Sequence, residues 1–350
     1  MTYIIGPNAH GKTNVLEAIY LLALTKSFRA KDAHDLIKWG SDFARVKAEF
    51  IDQNKSTQLE VFLGHAPNPA KVFKKNNVKT SASNFLGNFQ VVFFHPEDLN
   101  MLYLGPDLRR AYLNTLNVQV DKNYFLALRN YQRVMKQRNA LLHRIKENLA
   151  SADDLDIWDD QLIEHGSYIM LERAKTIAYF RQNLQESYRQ ISQGEERVEI
   201  IYQHTLDLAG YHLSETSPLQ DWQEAYAEAI QFYRPKDLIS EHTLKGPHRD
   251  DLVFTLRDKP LQLHASRGEY RSLLLALKLL EIDFMRQKTH QKPILLLDDV
   301  FSELDLSRQK MLMEAIQSHQ TIITTTESVD NGLMNELNLK NHAKIDILNC

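Results

Sequence analysis

The chain has 350 residues, of which 43% are hydrophobic and 25% are charged, and its net charge is -3 at pH 7. This length predicts two domains, or one domain with a large insertion, and the net charge leaves any attraction to nucleic acid to local patches. The only cysteine is Cys350, which excludes a disulfide framework and a cysteine-based zinc site. No apolar stretch reaches the roughly 20 residues that span a bilayer, and the start lacks signal-peptide order, so we expect a cytoplasmic protein.

A phosphate-binding loop follows the first predicted strand, residues 2–5. Residues 6–13 read Gly-Pro-Asn-Ala-His-Gly-Lys-Thr, and residues 13–24 have the apolar spacing of a buried helix. In this context the backbone N–H groups and the helix N-terminus cradle phosphate oxygens, with lysine on the β- and γ-phosphates and threonine on Mg²⁺. The expected nucleotide contacts are Gly6, Asn8, Gly11, Lys12, Thr13 and Asn14.

The next segments alternate like strands, and a long helical region follows them. Strands are predicted over 43–51, 57–63, 71–80 with a turn at 76–77, and 89–94. The pattern is then nearly all helical from 106 to 234, and a helix over 269–286 precedes an apolar strand over 294–297. We therefore expect an α/β protein whose head spans 1–105 and 241–350, with a mostly helical arm inserted at 106–240.

Basic side chains are concentrated early in the predicted arm. Between residues 121 and 150, seven lysines and arginines face two acidic residues, a difference of +5. Arg129, Arg133 and Lys136 are spaced to share one helix face, as side chains that follow DNA phosphates would be, although a solvated face explains the pattern equally well. A second, weaker group surrounds the predicted hairpin: Lys71, Lys74, Lys75 and Lys79.

Two polar motifs follow the arm. The stretch GPHRDDL, residues 246–252, could be a metal or catalytic cluster, but an ion-paired structural joint is the commoner role of such residues. Ser266 with Glu269 forms a capping box, the mark of a well-capped core helix. The same helix start, with Ser266, free N–H groups and Gly268, also suits a contact to a second phosphate.

Two carboxylates end the most apolar strand of the chain. Asp298 and Asp299 directly follow residues 294–297, where an aspartate that binds Mg²⁺ and a neighbouring acid that orients water are expected. We assign the metal to Asp298 with Thr13, and catalysis to Asp299 with Lys12. An aspartate pair after a strand is also common as a helix cap or turn.

The order of these motifs resembles that of ABC-type ATPases with a split head. SRGEYR at 266–271 is similar to the signature motif, ILLLDD at 294–299 to the Walker B strand, and SELD at 302–305 to the D-loop. Other stretches resemble the RecF family of DNA replication and repair proteins: GPNAHGKTNVLEAIYLL, HPEDL, GPDLRRAYLN, QRNALL, WDDQLIEHG, GPHRDDL and DDVFSELD. The resemblance covers nearly the whole chain and implies an ABC-type P-loop ATPase head with an inserted arm.

The resemblance also implies a function. Members of that family are ATP-dependent DNA clamps in which two heads sandwich two ATP molecules, and each phosphate loop faces the signature serine of the other protomer. It implies ATP and Mg²⁺ as cofactors, an ATP-dependent homodimer, and weak DNA-dependent ATP hydrolysis that releases it. It further implies binding at gapped DNA and single-strand/duplex junctions, with RecR, RecO and the recombinase RecA as partners in the nucleoid.

Three features depart from the family pattern. The chain begins at the phosphate-loop strand, whereas relatives carry further strands before it, so we expect an exposed strand edge and weaker adenine recognition. Asn114 stands where the family suggests aspartate. The strand TIITTT ends in threonines instead of a histidine, which leaves Thr325 or Thr326 as a contact to the γ-phosphate.

Other classes share part of this pattern. A chromosome-condensing SMC protein needs a far longer coiled-coil insertion, and a transporter ATPase would lack GPHRDDL and the arm. A small-molecule P-loop kinase would act as a monomer without a signature serine. A scaffold locked by ATP would bind its partners without hydrolysis, and both of these last alternatives stay open.

Overall fold

The computed structural model describes all residues except 8, 31, 53–54, 66–69, 193, 207–210, 326–342 and 347–350. The chain divides into two compact units. The first unit comprises residues 1–99 and 271–350, and the second comprises residues 100–270. The inserted unit thus includes residues 241–270, which the sequence-based division assigned to the head.

The elements alternate between strands and helices in the outer segments and are mainly helical in between. Up to residue 120 they are β1 (Thr2–Ile5), α1 (Lys12–Leu24), β2 (Phe43–Asp52), β3 (Lys55–Gly64), β4 (Ala70–Lys75), β5 (Val78–Thr80), α2 (Ala82–Phe85), β6 (Val91–Phe94), α3 (Asn100–Tyr103) and α4 (Pro106–Val120). The middle elements are α5 (Lys122–Lys146), α6 (Asp156–Ser192), β7 (Val198–Gln203), α7 (Leu219–Ser240), β8 (Asp251–Leu256), β9 (Lys259–Pro260) and α8 (Leu261–His264). The last are α9 (Arg267–Thr289), β10 (Ile294–Asp298), α10 (Leu306–Ile316), β11 (Thr321–Thr325) and β12 (Ala343–Asp346).

A parallel sheet forms the centre of the first unit. Its order is β12-β1-β11-β10-β6, and the described pairings within it are all parallel. At the carboxyl ends of the strands, Asp298 of β10 lies opposite Thr324 of β11, and Ile5 of β1 lies opposite Thr325 of β11. This register brings the start of the phosphate loop, the aspartate pair and the end of β11 to one edge of the sheet, where α/β proteins bind their ligands.

The prediction that the phosphate-loop strand has an exposed edge was wrong. Strand β1 pairs with β11 on one side and with β12 on the other. Tyr3 and Ile4 are buried at 1% and 2% exposure. Strand β12 therefore pairs with the edge of β1 that was expected to be exposed, and Thr2 lies opposite Ala343.

An antiparallel sheet of β2, β3, β4 and β5 belongs to the same unit. Its inner face contributes Leu59, Val61 and Leu63 to a core shared with Leu21 and Phe85 of the neighbouring helices. The turn predicted at 76–77 is present, and both asparagines have positive φ, as a tight hairpin turn requires.

The second unit consists of packed helices and a small sheet. Helix α6 packs against α5 and α7, and β7, β8 and β9 form an antiparallel sheet. The prediction of a nearly all-helical region was wrong at β7, since Val198 to Gln203 pair along their length with β8. This pairing also explains why residues beyond 240 group with the inserted unit. No helix in the described ranges combines the length and apolarity needed to cross a membrane.

Candidate functional site

The phosphate loop connects β1 to α1. Gly11 caps α1 with φ of 84°, a left-handed conformation that favours glycine. The first turn of α1 contains no acidic residue, so nothing there opposes an anion at the helix N-terminus. The Lys12 ammonium donates to the carbonyl oxygens of Gly6 at 2.6 Å and Pro7 at 2.8 Å. The loop backbone thus fixes a lysine that is only 7% exposed.

The carboxylate of Asp298 lies against the start of the same helix. Its Oδ1 accepts hydrogen bonds from Thr13 Oγ1 at 3.0 Å and from Thr324 Oγ1 at 2.6 Å. The Thr13 contact joins residues 285 positions apart. A hydroxyl and a carboxylate at this distance match the oxygen ligands that Mg²⁺ prefers. The two expected metal ligands, Thr13 and Asp298, are therefore adjacent.

Asp299 occupies a left-handed backbone position with φ of 50°. Its N–H group lies 3.2 Å from both the carbonyl oxygen and the hydroxyl of Thr324. Thr324 is fully buried, so one threonine fixes the side chain of Asp298 and the backbone of Asp299 together. Sequence reasoning missed Thr324, because the run of threonines gave no indication of which one faces the aspartates.

A cavity of about 360 Å³ lies over these groups. Its lining includes Lys12, Thr13 and Asn14 from the loop and helix, together with Asp298 and Asp299. Asp299 thus reaches the same space as the phosphate loop. The single chain brings these five sequence-predicted residues around one cavity of a size suited to a small ligand.

Among the other residues that line this cavity, an arginine and a histidine were not identified as site residues from the sequence. Arg29 donates to Asn14 Oδ1 at 2.7 Å and forms an ion pair with Glu17. His95 follows β6, and its Nε2 lies 3.8 Å from Asp298 Oδ2. His95 lay within the HPEDL stretch, but only the pairing of β6 with β10 shows that it reaches the aspartate. Arg29 thus brings a second cationic side chain to the cavity that Lys12 lines.

The metal expected here would need ligands beyond the protein. Among the described residues, no group of three or more histidine, cysteine or acidic side chains could hold a metal ion. Thr13 and Asp298 fit a Mg²⁺ ion that takes its remaining ligands from phosphate oxygens and water, which is how Mg²⁺ commonly binds with nucleotides.

The signature residues belong to the second unit. Ser266 is exposed and directly precedes α9. Its N–H donates to Glu269 Oε2 at 2.6 Å, and its hydroxyl accepts from the Glu269 N–H at 3.3 Å. The capping box is therefore present. Burial would raise the pKa of Glu269, but the hydrogen bonds from Ser266 and the charge of Arg257 lower it. Gly268 lies in the first turn of α9.

The basic residues of α5 divide into exposed and buried groups. The three DNA-binding candidates, Arg129, Arg133 and Lys136, are exposed. Arg138, counted in the same local excess of charge, is fully buried and bonds to Asp159 at 2.6 Å and Asp237 at 2.7 Å. Arg138 therefore stabilises the fold and is not available to DNA.

The lysines of the hairpin are also divided. Lys71 and Lys75 bond to Thr25 and Asn88, whereas Lys74 neutralises Glu60 at 2.8 Å. Lys79 is exposed. This second basic group is thus largely engaged within the protein.

The GPHRDDL residues form a hydrogen-bonded joint. His248 Nδ1 lies 2.7 Å from the Tyr131 hydroxyl, and its Nε2 lies 2.9 Å from the Thr243 carbonyl oxygen. Burial lowers the pKa of His248 to about 4. Asp251 forms a bidentate pair with Arg109 at 2.7 and 2.9 Å. These contacts support the structural role.

Two of the expected contacts, Asn8 and Thr326, lie outside the described residues. Thr325 ends β11 and is paired in register with Ile5, where the phosphate loop begins. Asn114 accepts hydrogen bonds from Tyr124 at 2.7 Å and Arg173 at 3.0 Å. The amide oxygen thus serves both donors at the position where an aspartate was expected.

Comparisons with known proteins agree with this architecture. The family model described as RecF/RecN/SMC N terminal domain matches residues 1–341. The DNA replication and repair proteins RecF of Bacillus cereus and Bacillus thuringiensis are each 38% identical over 347 residues, which covers 99% of this chain and 90% of each relative.

Two solved structures are similar over most of the chain. The recombination mediator protein RecF-ATPrS of the RecFOR pathway has a TM-score of 0.86 at 33% identity, covering 94% of this chain and 87% of that one. The RecF-ATP structure has a TM-score of 0.85 at the same identity, with 94% and 86% covered. The expected α/β fold with an ABC-type ATPase head is confirmed. The chain belongs to the RecF family.

Proposed function

We propose that this chain is an ATP-dependent DNA-binding protein of recombinational repair and replication-fork maintenance. The observation that carries the proposal is the 3.0 Å contact between Thr13 and Asp298 beside the Lys12 ammonium, at one cavity of the head. Relatives at 38% identity are named DNA replication and repair proteins. Two similar solved structures are named RecF-ATPrS and RecF-ATP, which supports ATP as the nucleotide.

The residues of the cavity divide the work of nucleotide binding. The N-terminus of α1 and Lys12 hold the β- and γ-phosphates, and Gly6, Gly11 and Asn14 shape the loop around them. Mg²⁺ would be held by Thr13 and Asp298 and would polarise the phosphate oxygens when bound. Asp299 orients the attacking water, because it lines the cavity beside Asp298.

The signature helix supplies the second half of each site. Ser266 is exposed at the start of α9, where N–H groups and the helix dipole favour an anion. We infer that Ser266 and Gly268 contact the γ-phosphate held by another protomer, so that ATP joins a homodimer. Slow hydrolysis removes the bridging phosphate and releases the dimer.

The DNA partner is gapped DNA or a single-strand/duplex junction. Arg129, Arg133 and Lys136 are exposed at helical spacing on α5 and can follow a phosphate backbone without reading bases. In the proposed pathway, RecR and RecO act with this chain to load RecA. ATP hydrolysis is weak and depends on DNA in this account.

The substitution Asp299→Asn tests hydrolysis as the release step. The variant should bind ATP like the wild type, lose hydrolysis and stay dimeric long after the wild type has dissociated, as measured by light scattering over time. Asp42→Asn, an exposed site of the same unit, is the matched control. A wild type that stays monomeric with ATP would favour a small-molecule kinase, and an unchanged Asp299→Asn dimer lifetime would favour a non-hydrolysing scaffold.

A further inference from the structure

A second cavity, of about 250 Å³, lies wholly within the inserted unit. It is open to solvent and lined by residues of α4, α5 and α6 and by the joint at residues 247 and 248. A water molecule has a share of about 30 Å³ in the liquid, and pockets for drug-sized ligands begin at roughly 300 Å³. The cavity therefore suits a group the size of one or two rings.

Two ion-paired guanidinium groups form part of the cavity wall. It contains the guanidinium groups of Arg110 and Arg173 and one carboxylate, Asp107, which forms an ion pair with Arg110. Arg173 is 2% exposed and donates to the Asn114 side chain at 3.0 Å. Its nearest carboxylate, Asp250, lies 3.5 Å away and outside the lining. Each of the two arginines thus has a carboxylate partner, Arg110 in Asp107 and Arg173 in Asp250.

The other walls combine apolar surface with amide groups. Leu128, Met135 and Ile169 supply the apolar part. Gln132 makes no hydrogen bond to any described residue, and the Asn114 amide nitrogen donates to none of them. Asparagine and glutamine amides match the donor and acceptor pattern of base edges, and extruded bases are held between apolar side chains in other proteins. The lining thus has the chemistry of a nucleobase site.

The cavity also lies beside the exposed basic residues of α5. Leu128, Gln132 and Met135 line the cavity, and Arg129, Arg133 and Lys136 directly follow them in sequence on the adjoining face of the same helix. A strand whose phosphates follow the basic face would pass the opening of the cavity. In duplex DNA its bases are paired, but at a gap an unpaired base can turn out at little cost.

We propose that this cavity accepts one unpaired nucleobase of the bound DNA and so distinguishes gaps from intact duplex. The proposal rests on the DNA-binding function proposed above and gives it a specific contact. Gln132 and Asn114 bond to the edge of the base, and the partly exposed Leu128 and Met135 contact its faces. Recognition of this kind depends on an unpaired base and not on a defined sequence.

The test measures binding of the full chain, with ATP and Mg²⁺, to three labelled DNAs by fluorescence anisotropy. The DNAs are an intact duplex, a gapped duplex, and the same gapped duplex with abasic sites in the gap. The variants are Gln132→Ala, which removes the amide, and Met135→Trp, which fills the cavity. Gln137→Ala, at an exposed position on the same helix, is the control, and thermal melting checks that each variant folds.

We expect the wild type and Gln137→Ala to bind the gapped duplex about tenfold more tightly than the abasic form, in line with the contribution of one stacked base. Met135→Trp should lose this preference and Gln132→Ala should reduce it, with intact-duplex binding unchanged. A 4-thiothymidine in the gap should crosslink to the peptide that contains Met135.

Equal binding of gapped and abasic DNA by the wild type would overturn the cavity's role while leaving DNA binding intact. An unchanged preference in both variants would do the same. A glutamate-rich peptide that displaces the DNA from the wild type but not from Met135→Trp would assign the cavity to the carboxylates of a partner protein and overturn the proposal. A wild type that binds none of the three DNAs would refute the proposed function itself.

Discussion

Replacing Thr324 with valine removes one hydroxyl group from the candidate site and keeps the volume of the side chain. Thr324 is fully buried, and its Oγ1 lies 2.6 Å from Asp298 Oδ1 and 3.2 Å from the Asp299 N–H. A hydrogen bond to a charged group contributes about 1.5–3 kcal/mol. Since about 1.4 kcal/mol is tenfold, we expect the Mg²⁺ concentration for half-maximal ATP hydrolysis to rise roughly 10- to 100-fold, as for other residues that orient metal ligands.

The assay is steady-state ATP hydrolysis over a series of Mg²⁺ concentrations, with binding of a fluorescent ATP analogue measured in parallel. Thr321→Val is the matched control, because Thr321 is equally buried on the same strand and its hydroxyl donates to the His319 carbonyl oxygen at 3.2 Å. Thr324→Ser keeps the hydroxyl and should stay near the wild type. If Thr324→Val and Thr321→Val have the same Mg²⁺ requirement, Thr324 does not position the metal site.

Three further substitutions test other parts of the account. Arg29→Ala should weaken ATP binding about tenfold, because it removes a charged side chain that lines the cavity over the phosphate loop. The control Arg45→Ala, on the antiparallel sheet, should bind ATP like the wild type. Equal ATP affinities of the two variants would refute a role for Arg29. Arg138→Met leaves two buried carboxylates without their partner, so urea denaturation should show a loss of about 3–5 kcal/mol; a loss below about 1 kcal/mol would contradict the importance of this network. His248 has a folded-state pKa of about 4, below its unfolded value of roughly 6.5. As pH falls from 7, the unfolded chain therefore binds the proton before the folded chain does, and the free energy of unfolding decreases, by about 2 kcal/mol at pH 5. Urea denaturation at pH 5 and pH 7 should show this decrease in the wild type but not in His248→Gln, and equal decreases would assign it to other groups.

Much of the site could be predicted because it depends on local patterns. The loop from Gly6 to Thr13 lies between an apolar strand and a buried helix, and the aspartate pair ends a buried strand. Because parallel strands have their carboxyl ends at the same edge of the sheet, the contact between Thr13 and Asp298 could be predicted from the order of the elements. The capping box at Ser266 is equally local.

The residues that sequence reasoning missed depend on pairing between distant strands. Thr324 faces the aspartates only because β11 pairs with β10 in a register that sets it opposite Asp298. His95 reaches the same carboxylate because β6 lies on the other side of β10. The pairing of β12 with β1 likewise joins distant parts of the chain. Composition and periodicity carry no information about such registers.

The central claim is that ATP joins two copies of this chain through Lys12 of one and Ser266 of the other. Light scattering of the wild type, Lys12→Ala and Ser266→Arg, with and without ATP, Mg²⁺ and gapped DNA, tests it most directly. The account predicts that the wild type becomes dimeric only with ATP and Mg²⁺, and that either substitution keeps the chain monomeric. A wild type that binds ATP and stays monomeric, or dimers that persist in both variants, would contradict it.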